Sequence, residues 1–178
     1  MIVFVSGGAR SGKSEVAERL ARDCQRAHGG ALYYLATAMA SDVEMAARIA
    51  RHRRDRGSEW CTREVPLALG EALDGIEPGS CVLLDCLTLW ASRARFEAGY
   101  HSAAGLAQFE ALLVAARTRP LDLVVVSNDL NEAALPQDAA TRDYVAFLQR
   151  LHRTLAREAE RVVEVVAGVA IDWKSPHA

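Results

Sequence analysis

Residues Gly7-Gly8-Ala9-Arg10-Ser11-Gly12-Lys13-Ser14 match the pattern G-x-x-x-x-G-K-[ST]. Few folds accept such a segment. It requires a buried strand in front and a helix behind, so that backbone N–H groups and a helix N-terminus converge on one point. Both flanks are present. Residues 2–6, IVFVS, are uncharged and mostly β-branched or aromatic, which predicts a buried strand. From Ser14 onward Val16, Leu20 and Cys24 recur at helical spacing with charges between them, and Gly29-Gly30 supplies a stop that leaves His28 in the last turn.

Each fixed residue type in the loop has a chemical reason. Glycines let the backbone turn and approach phosphate oxygens with no Cβ in the way. The loop N–H groups and the helix end offer partial positive charge. Lys13 adds a full charge near the outer phosphates, and the Ser14 hydroxyl is a ligand for Mg²⁺. Lys13 is therefore a candidate catalytic residue, and Gly7 to Ser14 form a candidate nucleotide-binding loop.

The rest of the chain alternates strands and helices. Residues 31–36 (ALYYLA) read as a second buried strand, and Ser41-Asp42 open a helix that runs to about Arg56-Gly57. A short strand is expected at 59–64 and a short helix at 66–75, opened by Pro66. Residues 81–85 (CVLLD) form a third apolar strand, followed by a helix to about Phe96, a glycine-containing break at 99–105 and a helix at 106–117. A strand at 122–127 leads into a loop from Asn128 to Gln137, a long amphipathic helix at 138–160, and closing strands at 162–167 and 169–173 divided by Gly168. This alternation predicts an α/β P-loop domain spanning residues 1–178: a mostly parallel sheet with helices on both faces.

Asp85 ends the apolar strand VLLD, where α/β sheets carry their ligands. An acid there can complete a Mg²⁺ shell with Ser14. The formal charge of −2 gives no global basic excess for nucleic acid. The cysteines Cys24, Cys61, Cys81 and Cys86 lack CxxC or zinc spacing and are expected as reduced thiols, with Cys81 and Cys86 in the core. The opening MIVFV lacks a basic flank and no apolar run reaches membrane-spanning length, so a cytoplasmic protein is expected.

One helix is unusually basic. In EMAARIARHRRDR (44–56), Glu44, Arg48 and His52 share a face, Met45 and Ile49 share the packing face beside it, and Arg51, Arg53, Arg54 and Arg56 surround His52. A solvated helix end explains such a cluster through the dipole. A polyphosphate clamp holding a nucleophile explains it as well. Histidine attacks phosphorus only when neutral, and neighbouring arginines favour that form.

Taken together, GGARSGKS (7–14), YLATA (34–38), EMAARIARHR (44–53), Trp60-x-Thr62-x-Glu64-x-Pro66, LLDCLTLW (83–90), VVVSN (124–128) and VVEVVAGVAI (162–171) resemble one family. It is the bifunctional adenosylcobinamide kinase and adenosylcobinamide-phosphate guanylyltransferase of cobalamin assembly. The resemblance implies a RecA-like fold, a homotrimer, and two reactions. One phosphorylates adenosylcobinamide with GTP or ATP. The other attaches GMP from GTP to adenosylcobinamide phosphate through a guanylylated histidine, which falls on His52. The family's nucleotide contacts fall on the phosphate loop, on Ala36, Thr37 and Ala38, on Arg53, Arg54, Asp55 and Arg56, on Glu64 and on Asp85.

The chain departs from the family pattern after Asn128. Asp129 stands for a glutamate, Asn131 and Ala133 stand for glycines, and His152 stands for an asparagine. Two lost glycines should stiffen or reshape that loop. Read from residues alone, His152 is a helix-face residue, with a loop-facing role as the alternative, and His28, His101 and His177 are surface residues. Two other functions share the phosphate loop: a P-loop kinase of another small metabolite, in which His52 has no covalent role, and a non-catalytic nucleotide-binding module.

Overall fold

The computed structural model describes residues 1–38, 54, 56–65, 67–130 and 136–176. Its elements are β1 (Ile2–Gly7), α1 (Lys13–His28), β2 (Leu32–Ala36), β3 (Trp60–Glu64), β4 (Cys81–Asp85), α2 (Leu87–Phe96), α3 (Ser102–Thr118), β5 (Asp122–Val126), α4 (Ala139–Glu158), β6 (Arg161–Val166) and β7 (Val169–Lys174). Among the described residues, seven strands form one sheet in the order β3-β2-β4-β5-β1-β6-β7. All neighbours run parallel except β6 and β7. Those two are joined by Ala167-Gly168, both at positive φ (49° and 83°), the backbone that a two-residue hairpin needs.

Alternation along the strands divides the core. Ile2, Phe4, Leu84 and Val125 face one side, where Trp90, Phe109, Phe147 and Leu151 from α2, α3 and α4 cover them. Val3, Val5, Leu83 and Val124 face the other side, covered by Val16, Leu20 and Cys24 of α1. Helices therefore lie on both faces of a mostly parallel sheet, as the sequence predicts. No described helix is long and apolar enough to cross a membrane.

Two segments differ from the sequence expectation. Among the described residues of 66–75 the helix is a single 3₁₀ turn at Leu69–Glu71. Leu69 and Leu73 are both buried, and Gly70 N–H donates to Gln108 Oε1 at 3.2 Å, so the segment is shaped by docking on α3 instead of by its own periodicity. The break expected at 99–105 is shorter, because α3 already starts at Ser102. His101 caps it: its Nδ1 accepts the Ala104 N–H at 3.2 Å. Gly105 belongs to the helix, and a Cβ there would lie 2.5 Å from Phe147 Cζ, so its glycine allows two helices to approach. The helix expected over 41–56 lies outside the described residues except for Arg54 and Arg56.

Candidate active site

The loop between β1 and α1 is shaped by glycine where glycine is needed. Gly7 has φ 151°, and a Cβ on it would lie 2.5 Å from the Val165 carbonyl oxygen and 2.7 Å from Ser11 Oγ. Neighbouring strands brace the loop from both sides. Asp129 N–H donates to Gly7 O at 2.9 Å, and Gly168 N–H donates to Ser11 O at 2.8 Å. Gly8, Ala9, Arg10 and Gly12 stay exposed. No side chain caps α1 among the described residues, which leaves its first N–H groups facing the loop, available to an anion.

Lys13 is only 8% exposed, and its Nζ donates to Gly8 O at 3.0 Å. Burial pushes its pKa down, while Cys86 and Asp85 pull it back up. Ser11 Oγ is buried without a hydrogen-bond partner among the described residues. Buried hydroxyls are rarely left so. A cationic loop with an unpaired hydroxyl and open N–H groups suits a phosphate. Ser14 is half-buried in the first turn of α1.

Asp85 ends β4, two strands from β1. Tyr34 Oη donates to Asp85 Oδ2 at 2.6 Å, and the Arg56 guanidinium lies 3.4 Å from the centroid of the Tyr34 ring. Burial first, and Asp85 second, push the Tyr34 pKa up, so it keeps its proton and remains a donor. Arg56 is 5% exposed, and its Nε is buried with no hydrogen-bond partner among the described residues. A buried guanidinium with an unused N–H favours an anion beside it. Its backbone is fixed by Arg22, whose Nη2 donates to Arg56 O at 3.0 Å.

Thr37 is fully buried. Its hydroxyl donates to Cys86 O at 2.9 Å and accepts Cys86 N–H at 2.8 Å. Its N–H donates to Asp85 O at 3.2 Å, so it pins the end of β2 to the corner after Asp85. Ala36 and Ala38 are half-buried. Ala36 pairs with Asp85 on one side and with Glu64 on the other. Glu64 is exposed and lies two strands from Asp85, about 10 Å at the usual strand spacing. Arg54 is exposed with helical backbone. His52, Arg53 and Asp55 lie outside the described residues.

The phosphate loop, Asp85, Thr37 and Arg56 thus meet at one sheet edge, with Glu64 at its margin. The bridging residue Tyr34 was not among the sequence candidates. Its signal was a tyrosine within an apolar strand, since a buried phenol needs a partner for its hydroxyl.

The family model described as cobinamide kinase / cobinamide phosphate guanyltransferase matches residues 3–173. The chain is 41% identical over 172 residues to the bifunctional adenosylcobalamin biosynthesis protein CobP of Pseudomonas aeruginosa, covering 96% of each chain. It is 33% identical over 186 residues to the bifunctional adenosylcobalamin biosynthesis protein CobU of Escherichia coli, covering 98% of this chain and 100% of that one. Among solved structures, the flagellar accessory protein FlaH of Methanocaldococcus jannaschii superposes with a TM-score of 0.52 at 12% identity, over 98% of this chain and 78% of that one. A KaiC-like protein of Pyrococcus horikoshii gives 0.50 at 10% identity, over 92% and 69%. At such identities the likeness concerns the α/β fold alone.

Proposed function

Because the chain belongs to the cobinamide kinase / cobinamide phosphate guanyltransferase family, we propose that it runs both reactions on one RecA-like P-loop site, with His52 as the covalent nucleophile. In the first reaction the aminopropanol hydroxyl of adenosylcobinamide attacks the γ-phosphorus of GTP or ATP, loses its proton and releases the nucleoside diphosphate. In the second, neutral His52 attacks the α-phosphorus of GTP. A P–N bond forms, the P–O bond to pyrophosphate breaks, and pyrophosphate leaves. A phosphate oxygen of adenosylcobinamide phosphate then displaces His52 and gives adenosylcobinamide-GDP. Two easier displacements replace one difficult transfer.

The loop N–H groups from Gly7 to Ser14 and the Lys13 ammonium hold the outer phosphates. Arg53, Arg54 and Arg56 offset charge on the transferred group and on departing pyrophosphate, with Asp55 in the same segment. Ala36, Thr37, Ala38 and Glu64 border the nucleotide. Ser14 and Asp85 are the residues that would hold Mg²⁺, which supplies charge neutralisation on the phosphates. The donor set fits that ion: a hydroxyl and a carboxylate are hard oxygen ligands, and a carboxylate can accept a hydrogen bond from Tyr34 and still face a cation. In this reading the protein is a cytoplasmic homotrimer.

One observation supports the reading most: Tyr34 ties Arg56, the last arginine of the His52 segment, to Asp85 beside the phosphate loop. Intact-mass measurement after incubation with GTP and Mg²⁺ tests it. A GMP adduct is expected on the wild type and not on His52→Ala. Equal adducts on both would remove His52 from the mechanism.

A further inference from the structure

A buried polar row lies beside the phosphate loop, on the side away from Tyr34. His152 Nε2 is 2.7 Å from Ser127 Oγ. Ser127 Oγ is 2.9 Å from Thr88 Oγ1, which accepts the Asn128 N–H at 2.7 Å. Ser127 and Thr88 are both buried, and the His152 ring packs on Phe4 with centroids 5.3 Å apart. Tyr144 Oη adds a second tie from α4, donating to Thr88 O at 3.0 Å.

The place of this row follows from strand order. β5 runs between β1 and β4, so its C-terminal end emerges between the phosphate loop and Asp85. Open α/β sheets bind ligands in that crevice. Residues 127–129 leave β5 there, and their N–H groups are all engaged: Ser127 N–H to Val5 O at 3.0 Å, Asn128 N–H to Thr88, and Asp129 N–H to Gly7 O at 2.9 Å. We propose that His152 is a positioning residue for the phosphoryl-transfer reaction, acting through Ser127 and Thr88 to fix the Asn128-Asp129 backbone between the phosphate loop and Asp85.

Proton bookkeeping gives the row a direction. Thr88 Oγ1 already accepts the Asn128 N–H, so its own proton goes to Ser127 Oγ, and the Ser127 proton goes to His152 Nε2. Reversed, Thr88 would accept twice and its proton would have no acceptor among the described contacts. The favoured order requires neutral imidazole with its proton on Nδ1. Burial keeps it neutral, with its pKa pushed down to about 4 against the opposing pull of Asp129. Apolar side chains would fill the same space without needing partners, so what the row adds is fixed geometry.

The row also lies apart from Arg56, a described residue of the segment that carries the proposed nucleophile, and from the Tyr34 ring against which Arg56 packs. Arg56 and Tyr34 sit on the β2 side of Asp85, whereas His152, Ser127 and Asn128 sit on the β5 side. Loosening the row should therefore harm the two reactions unequally. This inference rests on the two-reaction reading above.

The test compares wild type, His152→Leu, His152→Gln and Ser127→Ala, each assayed for adenosylcobinamide phosphorylation and for GMP adduct formation on the protein. His152→Leu and Ser127→Ala should lower kcat for phosphorylation about tenfold or more, with KM for the nucleotide and the adduct rate within about twofold of wild type. His152→Gln should recover most of the loss, because its amide oxygen can accept the Ser127 proton. The double variant His152→Leu/Ser127→Ala should be no worse than either single one. Ser127→Ala barely changes volume and keeps the test open if His152→Leu fails to fold. Equal loss of both reactions, unchanged phosphorylation, or a Gln variant as poor as Leu would each overturn the inference while leaving the parent reading intact. A wild type that performs neither reaction would overturn both.

Discussion

Tyr34 links an acid to a cation through two different parts of one side chain: its hydroxyl donates to Asp85, and its ring face carries Arg56. Tyr34→Phe separates these roles, because the ring stays and the hydroxyl goes. A hydrogen bond to a charged group contributes about 1.5–3 kcal/mol, so losing it should loosen Asp85 and weaken Mg²⁺-dependent GTP binding by about tenfold or more. Calorimetric titration with and without Mg²⁺ checks this; an equal loss in both conditions would place the effect outside Asp85. His152 makes a second prediction, for stability. Its pKa falls from the usual 6.5 in the unfolded chain to about 4 in the fold. Between those values the unfolded state binds the extra proton. The favourable contribution is thus fully present above pH 6.5 and is lost as pH falls through 4, at no more than about 1.4 kcal/mol per pH unit. Asp138, Glu160 and Asp172, whose pKa values are also lowered, lose their contributions only as pH falls below the ordinary 3.8 for Asp and 4.5 for Glu. Denaturant midpoints of wild type and His152→Gln at several pH values separate them: the curves should run parallel above pH 6.5 and draw together as pH falls from 6.5 toward 4.

At the scale of elements, the β6–β7 hairpin does more than close the sheet. Its turn holds the phosphate loop through Gly168 N–H and Ser11 O, and β6 presents Val165 O where only glycine fits at position 7. Ala167 occupies a left-handed conformation, φ 49°, that asparagine adopts more readily. Ala167→Asn should therefore stabilise the protein by about 0.5–1 kcal/mol, a rise of about 1–4 °C in a chain of this size. Thermal unfolding measures it, and a lower Tm would show that the turn is not of this type. The sequence made this division visible, because Gly168 separates two apolar runs. It also made β1, β2, β4, β5 and the glycine turn between β1 and α1 visible, since continuous apolar runs and fixed glycines are local signals. The 66–75 segment misled because its shape comes from α3. The start of α3 was hidden because a histidine caps it and Gly105 reads as a break. His152 looked like any helix-face residue beside Leu151. Its contact with Ser127 depends on β5 lying between β1 and β4, and alternation does not reveal strand order.

At the scale of the whole molecule, the sheet formed by the described residues ends at β3 on one side and at β7 on the other, and β7 is the more exposed strand. The β7 edge is exposed along its full length, and its odd-numbered residues present Val169, Ile171 and Trp173 on one face, with Trp173 70% and Val169 63% exposed. Val166 of β6, paired with Val169, extends the same apolar patch. Natural edge strands are usually blunted by charge, proline or a covering element, and an exposed apolar cluster on an ordered strand marks a contact surface. The strand is itself well held: Arg161 makes two hydrogen bonds to Asp172, and Trp173 Nε1 donates to Glu164 Oε2 at 2.8 Å. A rigid apolar strand suits a second copy of the chain better than a loosely folded partner, and three copies arranged in a ring repeat the contact three times. Each large side chain buried there contributes about 1.5–3 kcal/mol. Trp173→Glu removes the largest of them and sets a charge beside Glu164, so in the homotrimer proposed above it should leave monomers at micromolar concentration with an unchanged far-UV spectrum. Light scattering coupled to size-exclusion chromatography reads this directly. A variant that stays trimeric would exclude β7 from the interface, and a monomeric wild type would remove the trimer itself.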